Sequence, residues 1–361
     1  MDGRELIMVG SNNYLGLSWH PRVKEAAIEA TQKYGTTCSG SRYANGTFAL
    51  HEELEELLAH YADRQSSLVF TTGYQTNLGA ISALMGRNEH VFSDRYNHAS
   101  IMDGVFLSSG LRGQVKVHRY FHNNPADLEK ALSSVPIEEP KMIVTDGVFS
   151  MEGDIARLPE LKQLADTYRA RLYVDDAHAM GVIGETGRGT EQHYGLNDCA
   201  DLTMCTFSKS FASLGGFVAG SDEVIDYIKH FARPLIFSAS MPPAAIASVR
   251  EALRIMENEP QRVQRLQTIA QKMLAGFKSL GFDVGVAETP IIPLVIGDPE
   301  KTFLFWNLLY ENGVYANPVV SPAVPPDRSL IRTSYMAIHT DSELDQVLEI
   351  TGNAGKKLGI I

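Results

Sequence analysis

From residue 67 onward, short apolar runs alternate with stretches whose apolar residues recur every three or four positions. The runs at 67–72, 90–95, 115–120, 141–146, 171–176, 202–207 and 217–220 are rich in Val, Ile, Phe and Tyr and read as buried strands. Helical patterns such as residues 158–170 lie between them. This alternation predicts an α/β domain with a large, mainly parallel sheet covered on both faces. In such sheets ligands bind beyond the carboxyl ends of the strands. Five of the predicted strand ends carry polar residues, at 71–74, 94–98, 146–150, 175–178 and 206–209.

On either side the pattern changes. A polar loop, VGSNNYLGL at 9–17, precedes a predicted helix at 21–34, and a Gly/Ser/Thr-rich stretch runs into a helix from about Thr47 with Leu50, Leu54, Leu57 and Leu58 on one face. After a long helical region beginning near Pro242, Val263, Leu266, Ala270, Met273, Phe277 and Leu280 mark one helix face, and Gly281 ends that helix. Strands at 293–297, 314–319 and 330–336, a helix at 301–313 and a last helix follow, the last with Thr340 and Glu343 as its capping box. The expected organisation is an N-terminal segment (1–45), a large α/β domain (46–240) and a smaller α+β domain (241–361).

Composition narrows the partners. The net charge is −11 and no run of Lys or Arg occurs, which disfavours nucleic acid or an anionic membrane surface. The start, MDGRELIMVG, has neither the basic nor the apolar region of a signal peptide, and no apolar stretch reaches the length of a transmembrane segment. Cys38, Cys199 and Cys205 are odd in number and lack metal-type spacing, so a reducing, cytoplasmic setting and no metal are expected. Cys205, inside a predicted strand, reads as structural.

The chemistry centres on DLTMCTFSKSFASLGG, where a strand delivers Lys209 among small residues before a glycine pair. A lysine so placed suits covalent capture of a carbonyl compound, although an ordinary turn lysine fits the stretch equally well. The companion stretch LYVDDAHAMG ends a second strand in Asp175, Asp176 and His178. A lysine at one strand end, with a carboxylate and an imidazole at another, makes the parts of a pyridoxal 5′-phosphate (PLP) site, the carboxylate keeping the pyridine nitrogen protonated. Asp175 is the choice for that nitrogen, since Asp176 points to the opposite side of the strand. His178 would reach the ring hydroxyl edge. Gly73, at a strand-to-helix junction, could offer backbone N–H groups to a phosphate. Thr206 and Ser208 could add hydroxyls there. His98 is either a cofactor-stacking imidazole or a structural histidine. Arg332, a charge inside a short tail strand, needs an anion: a substrate carboxylate or an internal salt bridge.

With those residues in view, the chain resembles the α-oxoamine synthase family of fold-type I PLP-dependent transferases, the aminotransferase fold. The likeness runs nearly end to end through SNNYLGL, GSR, NGT, HEELE, TGYQTN, Asp94 with the HAS at 98–100, TDGVFSMEGD, VDDAHAMGVIGE, TGRG, TFSKSFASLGG, FSASMPP and LIRTSYMAIHT. The resemblance implies that Lys209 holds the cofactor covalently, His98 stacks on it and serves as acid or base, and Asp175 pairs its ring nitrogen. It places Ser150 and His178 near the ring oxygen, and Gly73, Tyr74, Thr206 and Ser208 around the phosphate. Ser238 would reach the phosphate of a neighbouring subunit in a homodimer with shared sites, and Asn13 with Arg332 would hold the substrate carboxylate.

Members of this family condense an amino acid with an acyl-CoA and release CoA and CO2. The stretches at 40–55, 206–220, 233–243 and 355–361 resemble the branch that joins L-serine to palmitoyl-CoA, on the route to sphingolipids. Sister branches take alanine or glycine, and an aminotransferase of the same fold is the alternative from another reaction class. A non-catalytic partner subunit, which the family also contains, is disfavoured by Lys209, Asp175 and His98. Members usually carry a segment before SNNYLGL that often contributes to acyl-CoA binding, and this chain starts ten residues ahead of that motif. Some members of the serine branch have an arginine in the proline-rich loop, where Val319, Val320 and Ser321 stand here.

Overall fold

The computed structural model describes residues 3–361. Twelve strands occur among them: β1 Ile7–Met8, β2 Ser66–Phe70, β3 His90–Asp94, β4 Lys116–Tyr120, β5 Lys141–Asp146, β6 Ala170–Asp175, β7 Leu202–Thr206, β8 Gly216–Gly220, β9 Ile291–Gly297, β10 Val314–Tyr315, β11 Asn317–Val319 and β12 Ser329–Ser334. The chain divides into two compact units. One comprises Leu17–Val148 with Ala156–Glu259, and the other comprises the chain up to Gly16, Phe149–Ile155 and Pro260–Ile361.

The larger unit carries a seven-stranded sheet in the order β2-β8-β7-β6-β5-β3-β4. Strands β3 to β7 pair in parallel, while β8 is antiparallel to both β7 and β2. Six strands therefore point one way, as the alternating pattern predicts, and their carboxyl ends share one edge. Apart from the edge strand β4, the strands of this sheet are buried on both faces. Leu68, Phe70, Val91, Val144, Tyr173, Met204 and Val218 pack with Ala80, Ile81, Ile101 and Val105 in one core cluster, while Val69, Phe92, Ile143, Leu172 and Val174 are buried as well.

The smaller unit has a three-stranded antiparallel sheet, β11-β12-β9, and a parallel pair of β1 with β10. Phe277, Phe282, Ile292, Leu294, Phe305, Ile331 and Val347 join its sheet and helices in one core cluster. Its last helix, Asp341–Lys357, starts at the expected capping box, with the Thr340 hydroxyl accepting from the Glu343 N–H at 3.2 Å and the Glu343 carboxylate accepting from the Thr340 N–H at 2.7 Å.

The units divide the chain elsewhere than at the expected boundaries of 45/46 and 240/241. Helix Pro243–Asn258 belongs to the larger unit because its buried face packs on the helices Pro21–Tyr34 and Ala49–Tyr61. Residues 3–16 go with the tail because β1 pairs with β10. Among the described residues, no helix is long and apolar enough to cross a membrane.

Candidate active site

The carboxyl edge of the large sheet collects Asp94 from β3, Asp146 from β5, Asp175 from β6 and Thr206 from β7. Lys209 lies three residues past Thr206 in a loop folded back on itself. The Phe207 N–H donates to the Gly215 carbonyl, and the Ser213 N–H to the Phe207 carbonyl, each at 2.9 Å. The Ala212 N–H donates to the Lys209 carbonyl at 3.1 Å, with Ala212 itself left-handed at φ 55°. The loop thus places Lys209 at the edge without a helix to carry it.

The glycine pair of this stretch has a packing reason. A Cβ on Gly216 would stand 2.8 Å from the Gly73 Cα, and a Cβ on Gly73 would stand 2.5 Å from the Thr206 Oγ1. Only glycines allow β8 to meet the start of helix Gly73–Leu84 beside the lysine loop. At that helix start Thr72 takes the Gln75 N–H on its hydroxyl (3.1 Å) and the Thr76 N–H on its carbonyl (3.0 Å). The Gly73 and Tyr74 N–H groups are what the first turn offers an anion, with the helix dipole behind them. The Thr206 and Ser208 hydroxyls lie 3.1 Å apart next to it. Ser238, expected at a neighbouring subunit's phosphate, accepts from the Gln75 Nε2 of its own chain at 3.1 Å. The Tyr74 hydroxyl bonds to Asp103, and its ring lies edge-on to His98 at 6.4 Å.

Asp175 is buried at the end of β6. One oxygen accepts from the Ala177 N–H at 3.0 Å and the other from the Asn77 Nδ2 at 2.7 Å. Asp176 does point the other way, as strand geometry requires, and accepts the Thr190 N–H at 2.9 Å and its hydroxyl at 2.6 Å. Burial pushes the Asp176 carboxyl up to about 7, with the two Thr190 bonds opposing. His178 follows, also buried. Asp146 accepts the His98 N–H at 3.1 Å, and burial, then the Asp175 charge, raises its pKa well above the usual carboxylate range. Burial also lowers the His98 pKa, with Asp175 raising it and Lys209 lowering it. Lys209 thus acts electrostatically on both Asp146 and His98. The Cys205 thiol is pushed well up by burial, which fits a structural role.

In the smaller unit Arg332 is buried in the middle of β12. Its Nε donates to the Ser150 carbonyl at 2.5 Å and its Nη2 to the Asn12 Oδ1 at 3.0 Å, with Ser334 Oγ at 3.5 Å from Nη1. No carboxylate among the described residues lies within ion-pair distance, so the internal salt bridge left open by the sequence is not formed. Its side-chain amide partner is Asn12; the neighbouring Asn13, expected on substrate, donates its backbone N–H to the Ser11 hydroxyl at 3.1 Å. The Tyr14 hydroxyl donates to the same Asn12 oxygen at 3.3 Å, and burial pushes its pKa up to about 12.

Asn77 and Ser100 carry no role in the sequence reading. Asn77 ties Tyr173, Ser100 and Asp175 together, and Ser100 links it to His98. The available signal was spacing: Asn77 stands four residues past Gly73, one helical turn in from the phosphate end.

The residues of the larger unit fit PLP. Gly73 leaves a cradle that a Cβ would fill, two hydroxyls stand beside it, a buried carboxylate is held ready for a protonated ring nitrogen, and a lysine shares the edge.

Comparison with known proteins agrees. The model of the aminotransferase class I and II family matches residues 4–350. A serine palmitoyltransferase from Sphingobacterium spiritivorum is 52% identical over 97% of this chain and 86% of its own length. An 8-amino-7-oxononanoate synthase from Thermoanaerobacter pseudethanolicus is 44% identical over 100% of this chain and 90% of its own. Among solved structures, the S. paucimobilis serine palmitoyltransferase with bound PLP and myriocin superposes with a TM-score of 0.95 at 36% identity, covering 99% of this chain and 89% of the other.

Proposed function

We propose that this chain, which belongs to the aminotransferase class I and II family, is a PLP-dependent serine palmitoyltransferase of the α-oxoamine synthase group, condensing L-serine with palmitoyl-CoA to 3-ketodihydrosphingosine, CoA and CO2. The observation that carries the reading is the PLP-type edge of the larger unit, where Asn77 and the Ala177 N–H fix the buried Asp175 beside the Gly73 cradle. In the smaller unit, Arg332 has no carboxylate partner among the described residues. An amino acid brings such a carboxylate. Bound at the edge, PLP supplies the electron sink that stabilises negative charge at the substrate α-carbon.

This chain's residues do the rest. Lys209 holds the cofactor and supplies an amine for proton movement at the α-carbon. Asp175, fixed by Asn77 and the Ala177 N–H, keeps a positive charge favourable at the ring nitrogen. Gly73, Tyr74, Thr206 and Ser208 bind the phosphate, and Ser238 completes that pocket in a homodimer. Arg332 with Asn13 orients the amino acid through its carboxylate. Ser150 and His178 stand with the ring oxygen. The setting is cytoplasmic, and the product feeds sphingolipid synthesis.

The test is CoA release from palmitoyl-CoA with serine, alanine and glycine in turn, alongside the visible absorbance of the lysine-held cofactor. Serine-dependent release that Lys209→Ala abolishes is the expected result. Release with alanine alone, and with a shorter acyl thioester, would move the chain to the oxononanoate branch. Amino-group exchange without CoA release would make it an aminotransferase.

A further inference from the structure

The side-chain amide of Asn77 is oriented by its neighbours. Its Nδ2 lies 2.7 Å from the Asp175 Oδ2 and 2.9 Å from the Ser100 Oγ, and its Oδ1 accepts from the Tyr173 hydroxyl at 2.8 Å. Turning the amide over would set its oxygen against the Asp175 carboxylate, so both Nδ2 protons are committed to Asp175 and Ser100. The Ser100 oxygen is then an acceptor towards Asn77, and its own proton is free to point at the His98 Nδ1, 2.7 Å away. The Ser100 backbone N–H, which can only donate, also faces that nitrogen at 3.3 Å. Because that backbone N–H can only donate, the His98 Nδ1 it faces carries no proton, and the Ser100 hydroxyl, whose oxygen already accepts from Asn77, donates to the same nitrogen.

We propose that Asn77 and Ser100 are positioning residues that hold His98 as the neutral imidazole protonated at Nε2, so that it meets the substrate as a hydrogen-bond donor and not as a base. The proposal rests on the PLP-dependent reading and deepens it, because the same amide orients Asp175. One asparagine thereby sets the polarity of both the ring-nitrogen carboxylate and the imidazole. The lowered His98 pKa, caused first by burial, agrees with a neutral ring near pH 7. Asp175 opposes that shift, while the Lys209 charge adds to it.

The test uses the full chain labelled with 15N-histidine, without added cofactor, and the His98 ring signals assigned by their loss in His98→Gln. At pH 7.5 the expected spectrum shows a bare, hydrogen-bonded Nδ1 and a protonated Nε2. Ser100→Ala should move the balance about tenfold towards the Nδ1–H form, the worth of about one hydrogen bond, and Ser100→Thr, which keeps the hydroxyl, should restore it. An Nδ1–H ring or an imidazolium in the wild type would overturn the proposal. So would a Ser100→Ala spectrum identical to the wild type in a variant whose thermal melt is unchanged. Because these signals are read without PLP, they stand apart from the functional reading, whose failure would show as no PLP uptake or no CoA release by the wild type.

Discussion

The two edges of the seven-stranded sheet handle charge differently. At the amino edge, His90, Lys116, Arg171 and Lys141 each find a carboxylate or a carbonyl. His90 and Lys116 share Glu139 at 2.5 and 3.2 Å, and Arg171 pairs with Asp201 at 2.7 Å. The buried Lys141 gives its ammonium to the carbonyls of Pro136 and Glu139 at 2.5 and 2.9 Å. At the carboxyl edge four carboxylates are buried, and Asp146, Asp175 and Asp176 are held by neutral donors. Burial lifts the pKa of Asp146 and of Asp176. One edge is settled by ion pairs and carbonyls, while the other buries carboxyl groups on neutral donors, with Lys209 acting electrostatically on Asp146 beside them. Strongly perturbed carboxylates gather where chemistry is done.

The largest effect should come from removing Lys209. Lys209→Ala is expected to lower kcat by three or more orders of magnitude, on the order of the loss when a covalent nucleophile is deleted. It should also abolish the absorbance of the lysine-held cofactor. Next comes Asp175→Asn, which keeps the shape and removes the charge. The amide must then present its NH2 either to Asn77 or to the Ala177 N–H, two groups that can only donate at those contacts. A fall in kcat of about 10²–10³-fold is expected, the scale of one lost electrostatic stabiliser, together with weaker PLP retention on dialysis. Wild-type turnover in either variant would erase the distinction between the edges.

Asp176 sharpens the comparison through pH. Its folded-state pKa of about 7 lies above the ordinary 3.8. Below about pH 4 the group is protonated whether the chain is folded or not, and its full contribution to stability is present. Between there and pH 7 the unfolded chain ionises first, so stability is lost as pH rises, by about 4 kcal/mol in all. Asp176→Asn should remove that decline, and the difference between the wild-type and variant denaturation midpoints should shrink or reverse from pH 5 to pH 8. A difference that stays constant over this range would mean that Asp176 ionises as freely in the fold as in the open chain.

Much of this edge was legible in advance, for a physical reason. Strand runs and helix periodicity are local, so the parallel core, the polar strand ends and the Thr340–Glu343 cap could be read from neighbouring residues. Lys209, Asp175 and Gly73 stood out because strand ends expose few polar groups. Asn77 did not stand out, because its meaning depends on Tyr173 and Asp175 nearly a hundred positions away. The same limit hid the pairing of β1 with β10 and the contact of Asn12 with Arg332. The single predicted strand at 314–319 is two short ones in the structure, pairing with different partners on either side of Ala316.

The smallest effect belongs to the amino edge, and it is the control on which the comparison depends. Arg171 has 79% of its side chain exposed and Asp201 33%, so their 2.7 Å ion pair is screened by water. Asp201 also accepts the Leu172 N–H at 2.8 Å and keeps that bond when the arginine is shortened. Arg171→Ala should therefore cost about 0.2–1 kcal/mol in denaturant unfolding and leave kcat/KM unchanged within about twofold. The two variants Arg171→Ala and Asp175→Asn alter residues of one strand, four positions apart, so any difference between them comes from the edge each occupies. A tenfold fall in kcat/KM for Arg171→Ala at unchanged stability would mean that charge at the amino edge reaches the chemistry through β6. The settled edge would then have to be counted as part of the site.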